Sequence, residues 1–105
     1  MDEAACRDIS EFVSVLANPH RIRILCLLVG GERSVGEIAA SVGLSPAHVS
    51  SHMRVLYDRG YVTKRREWRR IYYSLSDPRL KDLIDIATSL AIPSARGLTS
   101  PARRP

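Results

Sequence analysis

The chain lacks any long apolar segment. Its longest uninterrupted apolar run, Ile24 to Val29, covers six residues, whereas a helix that spans a bilayer needs about 20. The N-terminus carries Asp2, Glu3, Arg7 and Asp8 where a secretory signal would be apolar. We therefore expect a cytoplasmic protein that does not cross a membrane.

Cysteine and lysine are both scarce. The two cysteines, Cys6 and Cys26, should stay reduced in the cytoplasm, so a structural disulfide is not expected and a reactive or metal-binding pair is one possibility. Only 2 of the 16 basic side chains are lysine. Arginine suits phosphate and guanine because its planar guanidinium donates two parallel hydrogen bonds. No Ser/His/Asp or Cys/His arrangement with an orienting third group is present, so an enzyme is not expected.

Apolar spacing predicts the outer helices. Apolar residues from Ile9 to Leu16 recur at i, i+3, i+4 and i+7, which predicts an amphipathic first helix that Asn18-Pro19 ends. Residues 20–29 are apolar on nearly every side and predict a central buried helix, with Cys26 in its middle. A last amphipathic helix is predicted from Asp77-Pro78 to about Ala91.

Two short helices with clear start signals lie between them. Ser34 and Glu37 form a capping box, Gly43 permits a left-handed exit, and Ser45-Pro46 opens the next helix. Two helices about three residues apart are typical of a helix-turn-helix, whose second helix enters the major groove of DNA. The outward side chains of that helix are mostly small, as close approach to base edges requires. We predict DNA contacts from Ser45, Ala47, His48, Ser50, Ser51 and Arg54.

A basic hairpin follows, with strands predicted over residues 61–66 and 69–75. Its five cations surround one carboxylate, which gives a local net charge of +4. If Glu67-Trp68 is the loop, Arg66 faces Arg69, and like charges placed opposite destabilise a strand pair unless an anion relieves them. We predict phosphate contacts from Lys64, Arg65, Arg66, Arg69 and Arg70. A merely solvated hairpin is the alternative.

Trp68 and two histidines have competing interpretations. Trp68 fits poorly in a two-residue loop, where residues that tolerate positive φ are usual, so a wider loop is expected. Its indole is predicted to fold back over neighbouring arginine stems, and contact with a sugar in the minor groove is the alternative. His48 and His52 have the spacing of a chelating pair. We favour a DNA contact for His48 and a partly buried hydrogen bond for His52.

The two thiols can be placed by counting from the break at Asn18. Cys6 lies 12 residues before it and Cys26 lies 8 residues after it, so an antiparallel helix pair would offset them by about 6 Å along the axis. Cooperation of the two thiols in sensing is therefore feasible. The alternative is a packed Cys26 with an idle Cys6.

Four segments, in this order and spacing, resemble the ArsR/SmtB family of winged-helix repressors. They read Leu16-Ala-Asn-Pro-His-Arg-Ile-Arg-Ile-Leu25, Ser34-Val-Gly-Glu-Ile38, Leu44-Ser-Pro-Ala-His-Val-Ser-Ser-His-Met53 and Arg69-Arg-Ile-Tyr-Tyr-Ser-Leu75. The resemblance implies a mainly α fold with a β-hairpin wing (α-α-α-α-β-β-α), and a homodimer of first and last helices on a palindromic operator. Residues 1–91 would form this domain and residues 92–105, by composition, a disordered tail. We predict a dimer interface from Phe12, Leu80, Leu83, Ile84, Ala87 and Leu90.

Departures from the family bear on the effector. Metal-sensing members carry a cysteine-rich box in the first helix of the reading pair or an Asp/His pattern on the last helix, whereas residues 35–42 hold no cysteine and residues 77–91 hold no histidine. Cys26 stands where thiol-based and persulfide-responsive members keep one reactive cysteine, but their second cysteine is missing from the last helix. The usual metal sites are therefore expected to be absent.

Release of the DNA is predicted to run through a thiol-reactive effector at Cys26 with Cys6 as its partner. Arsenite, a soft thiophile, suits two or three thiolates, and a persulfide or an oxidant are the other candidates. An effector-independent repressor with structural cysteines is one alternative. A protein-interaction module is another, because Pro46 and Ala47 lack the hydrogen-bonding groups common there in relatives.

Overall fold

The computed structural model describes residues 1–94. Within them five helices and three strands follow one another as α1 (Glu3–Leu16), α2 (Pro19–Val29), β1 (Arg33–Ser34), α3 (Val35–Val42), α4 (Pro46–Asp58), β2 (Val62–Glu67), β3 (Arg70–Leu75) and α5 (Arg79–Ala91). The predicted order of helices and hairpin is confirmed, and only β1 was not foreseen. Of the predicted tail, residues 92–94 are exposed and residues 95–105 lie outside the described part of the chain.

Side-chain caps begin the helices where the sequence signals indicated. Ser34 Oγ accepts from the amide of Glu37, and Glu37 Oε1 accepts from the amide of Ser34, so the capping box is complete. Ser45 Oγ accepts from the amide of His48 at 3.2 Å. Gly43 leaves α3 with φ of 70°, a left-handed conformation that favours glycine. These caps hold α3 and α4 as a helix-turn-helix.

The core lies where α2, α3 and α4 meet the base of the hairpin. Its largest fully buried side chains are Tyr61, Ile24, Leu25, Ile38, Met53, Leu56 and Val49. The sheet has the order β1-β3-β2 and is antiparallel throughout. The short β1 pairs Arg33 with Tyr73 and Ser34 with Tyr72, so the first turn of α3 is tied directly to the wing.

The two outer helices contribute little to this core. Val15 is the one buried residue of α1, and Leu80 is the one buried residue of α5. The axes of α1 and α2 meet at 85°. Among the described residues no single helix is long and apolar enough to cross a membrane, and only the bent pair of α1 and α2 together reaches that length and composition.

The hairpin register differs from the predicted one by a residue at its tip. Glu67 pairs with Arg70, so the loop is Trp68-Arg69. The wider loop expected from the poor fit of Trp68 is therefore wrong. Arg66 lies opposite Ile71 instead of Arg69, so the inferred like-charge repulsion is also wrong. The turn was misplaced by one residue because the hairpin tip contains no Asn-Gly or other strong turn pair that would locate it.

Candidate nucleic-acid interface

The outer side of α4 is open to solvent along its length. Val49, Met53 and Leu56 are buried, so helical periodicity turns the intervening residues outward. The side chains predicted to contact DNA are all exposed: Ser45, Ala47, His48, Ser50, Ser51 and Arg54. Ser51 Oγ donates to the carbonyl oxygen of Ala47 at 3.2 Å. An exposed helix side with small residues in its first two turns is shaped to enter a groove about 12 Å wide.

Lys64 joins this helix to the wing. Its Nζ lies 4.2 Å from the centroid of the Tyr57 ring on α4, a cation–π contact. A cavity of about 260 Å³ between α4 and the hairpin is lined by residues that include Ser50, Arg54 and Lys64. Helix and wing therefore form one continuous surface with cations along it.

Arg69 and Arg70 extend the surface toward the start of α3. Together with Ser50 of α4 and Glu37 of α3 they line a groove of about 670 Å³. Hydrogen bonds from the backbone and side chain of Ser34 lower the pKa of Glu37. The carboxylate thus serves the capping box, and the two arginines bring positive charge to the lining of this groove.

Arg65 differs from the other wing cations. Its Nε and Nη2 donate to the two carboxylate oxygens of Glu32, each at 2.8 Å, and its Nη1 donates to Glu67 at 2.6 Å. The guanidinium also lies over the Tyr72 ring, 4.6 Å from its centroid. Arg65 is thus engaged within the chain, and its predicted phosphate contact stays a prediction that this geometry does not favour. The sequence did not reveal the role of Glu32, because two partners 33 positions apart leave no local pattern in the sequence.

Trp68 stands away from the rest of the wing. The residue is 87% exposed, so the prediction that its indole folds back over arginine stems is wrong. Its φ is 60°, and among the described residues it is the one non-glycine with a positive φ. Arg66 Nε donates to the Trp68 carbonyl oxygen at 3.0 Å and so fixes the tip.

Two of the three histidines, His48 and His52, lie on α4, and His20 lies on α2. The rings of His20 and His52 have centroids 5.6 Å apart. Desolvation, followed by the charges of Arg21, His20 and His48, lowers the pKa of His52. No group of three or more His, Cys, Asp or Glu side chains suited to a metal ion occurs within residues 1–94.

Both thiols are exposed, and neither the expected burial of Cys26 nor the expected antiparallel alignment of the two cysteines is found. Cys26 lies on the solvent side of α2 and not in its packed centre. Since α1 and α2 meet at 85° and not as an antiparallel pair, the counted offset does not apply. At 1.5 Å per residue, positions 12 and 8 residues from Asn18 lie roughly 18 Å and 12 Å along axes that meet at 85°, which puts Cys6 and Cys26 roughly 22 Å apart. A direct disulfide, which needs Cα atoms about 4.4–6.8 Å apart, does not fit within one chain.

Apolar side chains remain uncovered on α1 and α5. Of the predicted dimer residues, Phe12 is 42% and Leu90 is 70% exposed, and Ala87 is also exposed. Leu83 and Ile84 pack partly against the core. Leu80 is buried in the core of its own chain. It is therefore a core residue and not the interface residue that the sequence predicted. The sequence-based selection also omitted Ile86, which is 58% exposed.

A capped helix pair, an open second helix and an adjoining cationic hairpin define a winged helix-turn-helix DNA-binding protein. Residues 18–64 match the bacterial regulatory protein, arsR family. The chain is 38% identical over 96 residues to the probable mercury resistance operon repressor of Streptomyces lividans, covering 91% of this chain and 77% of that protein.

Solved structures agree with that match. The crystal structure of M. tuberculosis Rv0081 superposes with a TM-score of 0.80 at 36% identity and covers 97% of this chain and 100% of that one. The homodimeric winged helix-turn-helix DNA-binding domain of Mb0332 from Mycobacterium bovis gives 0.75 at 33% identity, covering 87% and 86% of the two chains. The chain belongs to the ArsR family. Members of this family are DNA-binding transcriptional regulators, so the chain is a DNA-binding transcriptional repressor and not an enzyme.

Proposed function

We propose that the homodimer acts in the cytoplasm on a palindromic operator, with α4 of each protomer in the major groove and the wing over the flanking phosphates. The supporting observation is the continuity of the surface: Ser50 and Arg54 on α4 share a cavity with Lys64 on β2. Small hydroxyl side chains can approach base edges, and the cations beside them can reach phosphate oxygens.

The exposed side of α4 and the cationic hairpin have different tasks in this complex. Ser50, Ser51 and Arg54 read bases, so their loss should relax sequence preference. Lys64, Arg66, Arg69 and Arg70 neutralise phosphates, so their loss should weaken binding to all sequences alike. Two-fold symmetry of the dimer requires two half-sites about one helical turn, 34–36 Å, apart.

The test is selection of bound duplexes from random DNA and from the region upstream of the gene, followed by titration at several salt concentrations. We expect an inverted repeat and an affinity that falls steeply with salt because bound phosphates release counterions. Ser50→Ala should bind non-cognate duplexes nearly as well as the selected site. Recovery of no inverted repeat would overturn the proposal and favour a protein-interaction module.

We further propose that Cys26 receives a thiophilic effector. Desolvation and, to a smaller extent, the nearby Asp85 carboxylate raise the pKa of Cys26. A raised pKa leaves little thiolate at neutral pH, which disfavours reaction with oxidants, whereas a soft metal ion displaces the thiol proton by its strong bond to sulfur. The S. lividans relative named for mercury resistance makes Hg(II) the first ion to try, with arsenite beside it.

Release would follow from the nearness of Cys26, on α2, to the neighbouring helix α5. Asp85, whose charge acts on the thiol, belongs to α5, the helix that exposes apolar residues for pairing. A metal ion bound at Cys26 would press on α5 and change the angle between the two reading helices. Cys6 of the same chain lies too far away to share the ion directly.

The experiment treats the DNA-bound dimer with Hg(II), arsenite, a persulfide donor, an oxidant and Zn(II) in turn, while operator binding and intact mass are followed. Cys26→Ser should stay on DNA in Hg(II), and Cys6→Ser, the matched control, should dissociate like the wild type. If both variants dissociate like the wild type, or the wild type ignores every reagent, the cysteines do not sense.

A further inference from the structure

Trp68 occupies a backbone position that favours another residue. It is the first residue of the Trp68-Arg69 loop between Glu67 and Arg70. A positive φ there, with none at Arg69, is the pattern of a type II′ turn, in which the first loop position is normally glycine. A side chain at this φ is strained, so tryptophan weakens the turn that it helps to form.

Packing within the chain does not offset that strain. The residue is 87% exposed, so the indole gains little from burial. Large aromatic side chains normally stabilise a protein by burying 150–250 Å² each. Neither local conformation nor packing therefore explains the tryptophan, and strain that nothing in the fold relieves is typical of a functional position.

The surroundings of the indole indicate what it contacts. Arg66 holds the Trp68 carbonyl through its Nε, and Arg69 follows in the loop. An exposed apolar ring at a hairpin tip that also carries Arg66 and Arg69 matches the chemistry of the DNA minor groove, which attracts arginine and admits apolar wedges. A contact with another protein would not by itself require arginines next to the tryptophan at the hairpin tip.

We propose that Trp68 inserts into the minor groove beside each half-site and packs its indole against deoxyribose there. This contact compensates in the complex for the backbone strain of the free wing. The inference rests on the proposed function. It adds an apolar contact that carries no charge, so it predicts an effect on affinity that is separable from counterion release.

The substitution Trp68→Gly should move stability and affinity in opposite directions. Glycine relieves the positive φ, so the melting temperature should rise by roughly 4 °C. Loss of the indole should weaken binding to the selected operator duplex by about ten-fold, the scale of one lost aromatic contact with a nucleotide. The slope of log affinity against log salt should not change, because the indole neutralises no phosphate. Trp68→Phe should retain most of the affinity.

Trp68 is the one tryptophan in the sequence, so its fluorescence reports on the contact directly. With wild-type dimer and saturating operator duplex we expect a quenched emission that acrylamide no longer reaches. If the wild type binds the duplex while its emission and acrylamide quenching stay those of the free protein, or if Trp68→Gly binds as tightly, this inference is overturned and the proposed function stands. If the wild type binds no duplex, both are overturned.

Discussion

Arg65 and Glu32 form a bidentate ion pair that ties the wing to the turn after α2. Both carboxylate oxygens of Glu32 accept hydrogen bonds from the guanidinium at 2.8 Å. The hydrogen bond from Arg65 lowers the pKa of Glu32, so the pair stays charged at neutral pH. Two parallel bonds fix an angle as well as a distance. The pair therefore positions the hairpin, and its charge is already compensated before DNA arrives.

The neighbours Arg65 and Arg66 should respond differently to the same substitution. Arg66→Ala removes a phosphate contact from each protomer and should lower the salt slope of operator binding by about 2 for the dimer, or about 0.9 for each lost contact. Arg65→Ala removes the same charge but should leave the slope nearly unchanged and weaken binding only modestly. Equal losses of slope would show that Arg65 leaves Glu32 to bind phosphate.

Glu32→Gln tests whether this ion pair affects DNA affinity through the position of the wing or through its net charge. Removal of a negative charge close to the wing should raise affinity for DNA if net charge decides the outcome. If the position held by the ion pair decides the outcome, the looser wing should lower affinity even though a negative charge has been removed. We expect the lower affinity, measured on the selected operator at constant salt, and a higher affinity would contradict the positioning role.

The dimer surface is tested best at Ala87. This residue is exposed on α5, whereas Leu83 packs partly against the core, so Leu83→Glu would confound pairing with folding. Ala87→Glu should give a folded monomer in sedimentation at micromolar concentration. Operator affinity should then fall far more than non-specific binding, because the two half-sites are no longer engaged together. Ser41→Glu, which adds the same charge on α3, should remain dimeric.

His52 should make stability depend on mildly acidic pH. Its lowered pKa means that the folded chain binds the proton less readily than the unfolded chain, whose histidine titrates near pH 6.5. The contribution of neutral His52 to the free energy of unfolding is thus complete above about pH 6.5, and it is lost as the pH falls through the lowered pKa of the folded state.

The measurement is the melting temperature of wild type and His52→Gln at pH 7.5 and 5.0. The wild type should lose more stability between these values than His52→Gln does. His48→Gln, which removes an exposed imidazole one turn earlier on α4, should keep most of the wild-type loss. An identical loss in His52→Gln would show that the pH dependence arises elsewhere.

Local signals predicted the fold well because the helix starts are encoded within a few residues. Ser34 with Glu37, and Ser45 with Pro46, each fixed a boundary that the structure reproduces. The two-residue strand β1 escaped prediction because it is too short to show alternation. Its pairing with Tyr72 and Tyr73 depends on residues almost forty positions away.

The sequence predicted which residues of α4 are exposed, but it did not predict the contacts between residues that are far apart in the chain. The outward residues of α4 follow from periodicity alone, whereas the pairing of Arg65 with Glu32 requires the folded sheet. The exposure of Cys26 was missed because α2 is apolar on nearly every side, and such a helix in a small domain need not be covered on all of them. The turn at Trp68 was missed because tryptophan is unusual at positive φ.

In the proposed complex two α4 helices, held at a fixed spacing by the dimer, read two half-sites on one face of the duplex. This arrangement is tested by inserting base pairs between the half-sites of the selected operator and measuring the affinity of the wild-type protein. Insertion of five base pairs rotates one half-site by about half a turn. We predict that affinity then falls about a thousand-fold or more, toward non-specific binding. Unchanged affinity after the insertion would show that the two reading helices do not bind half-sites at a fixed spacing.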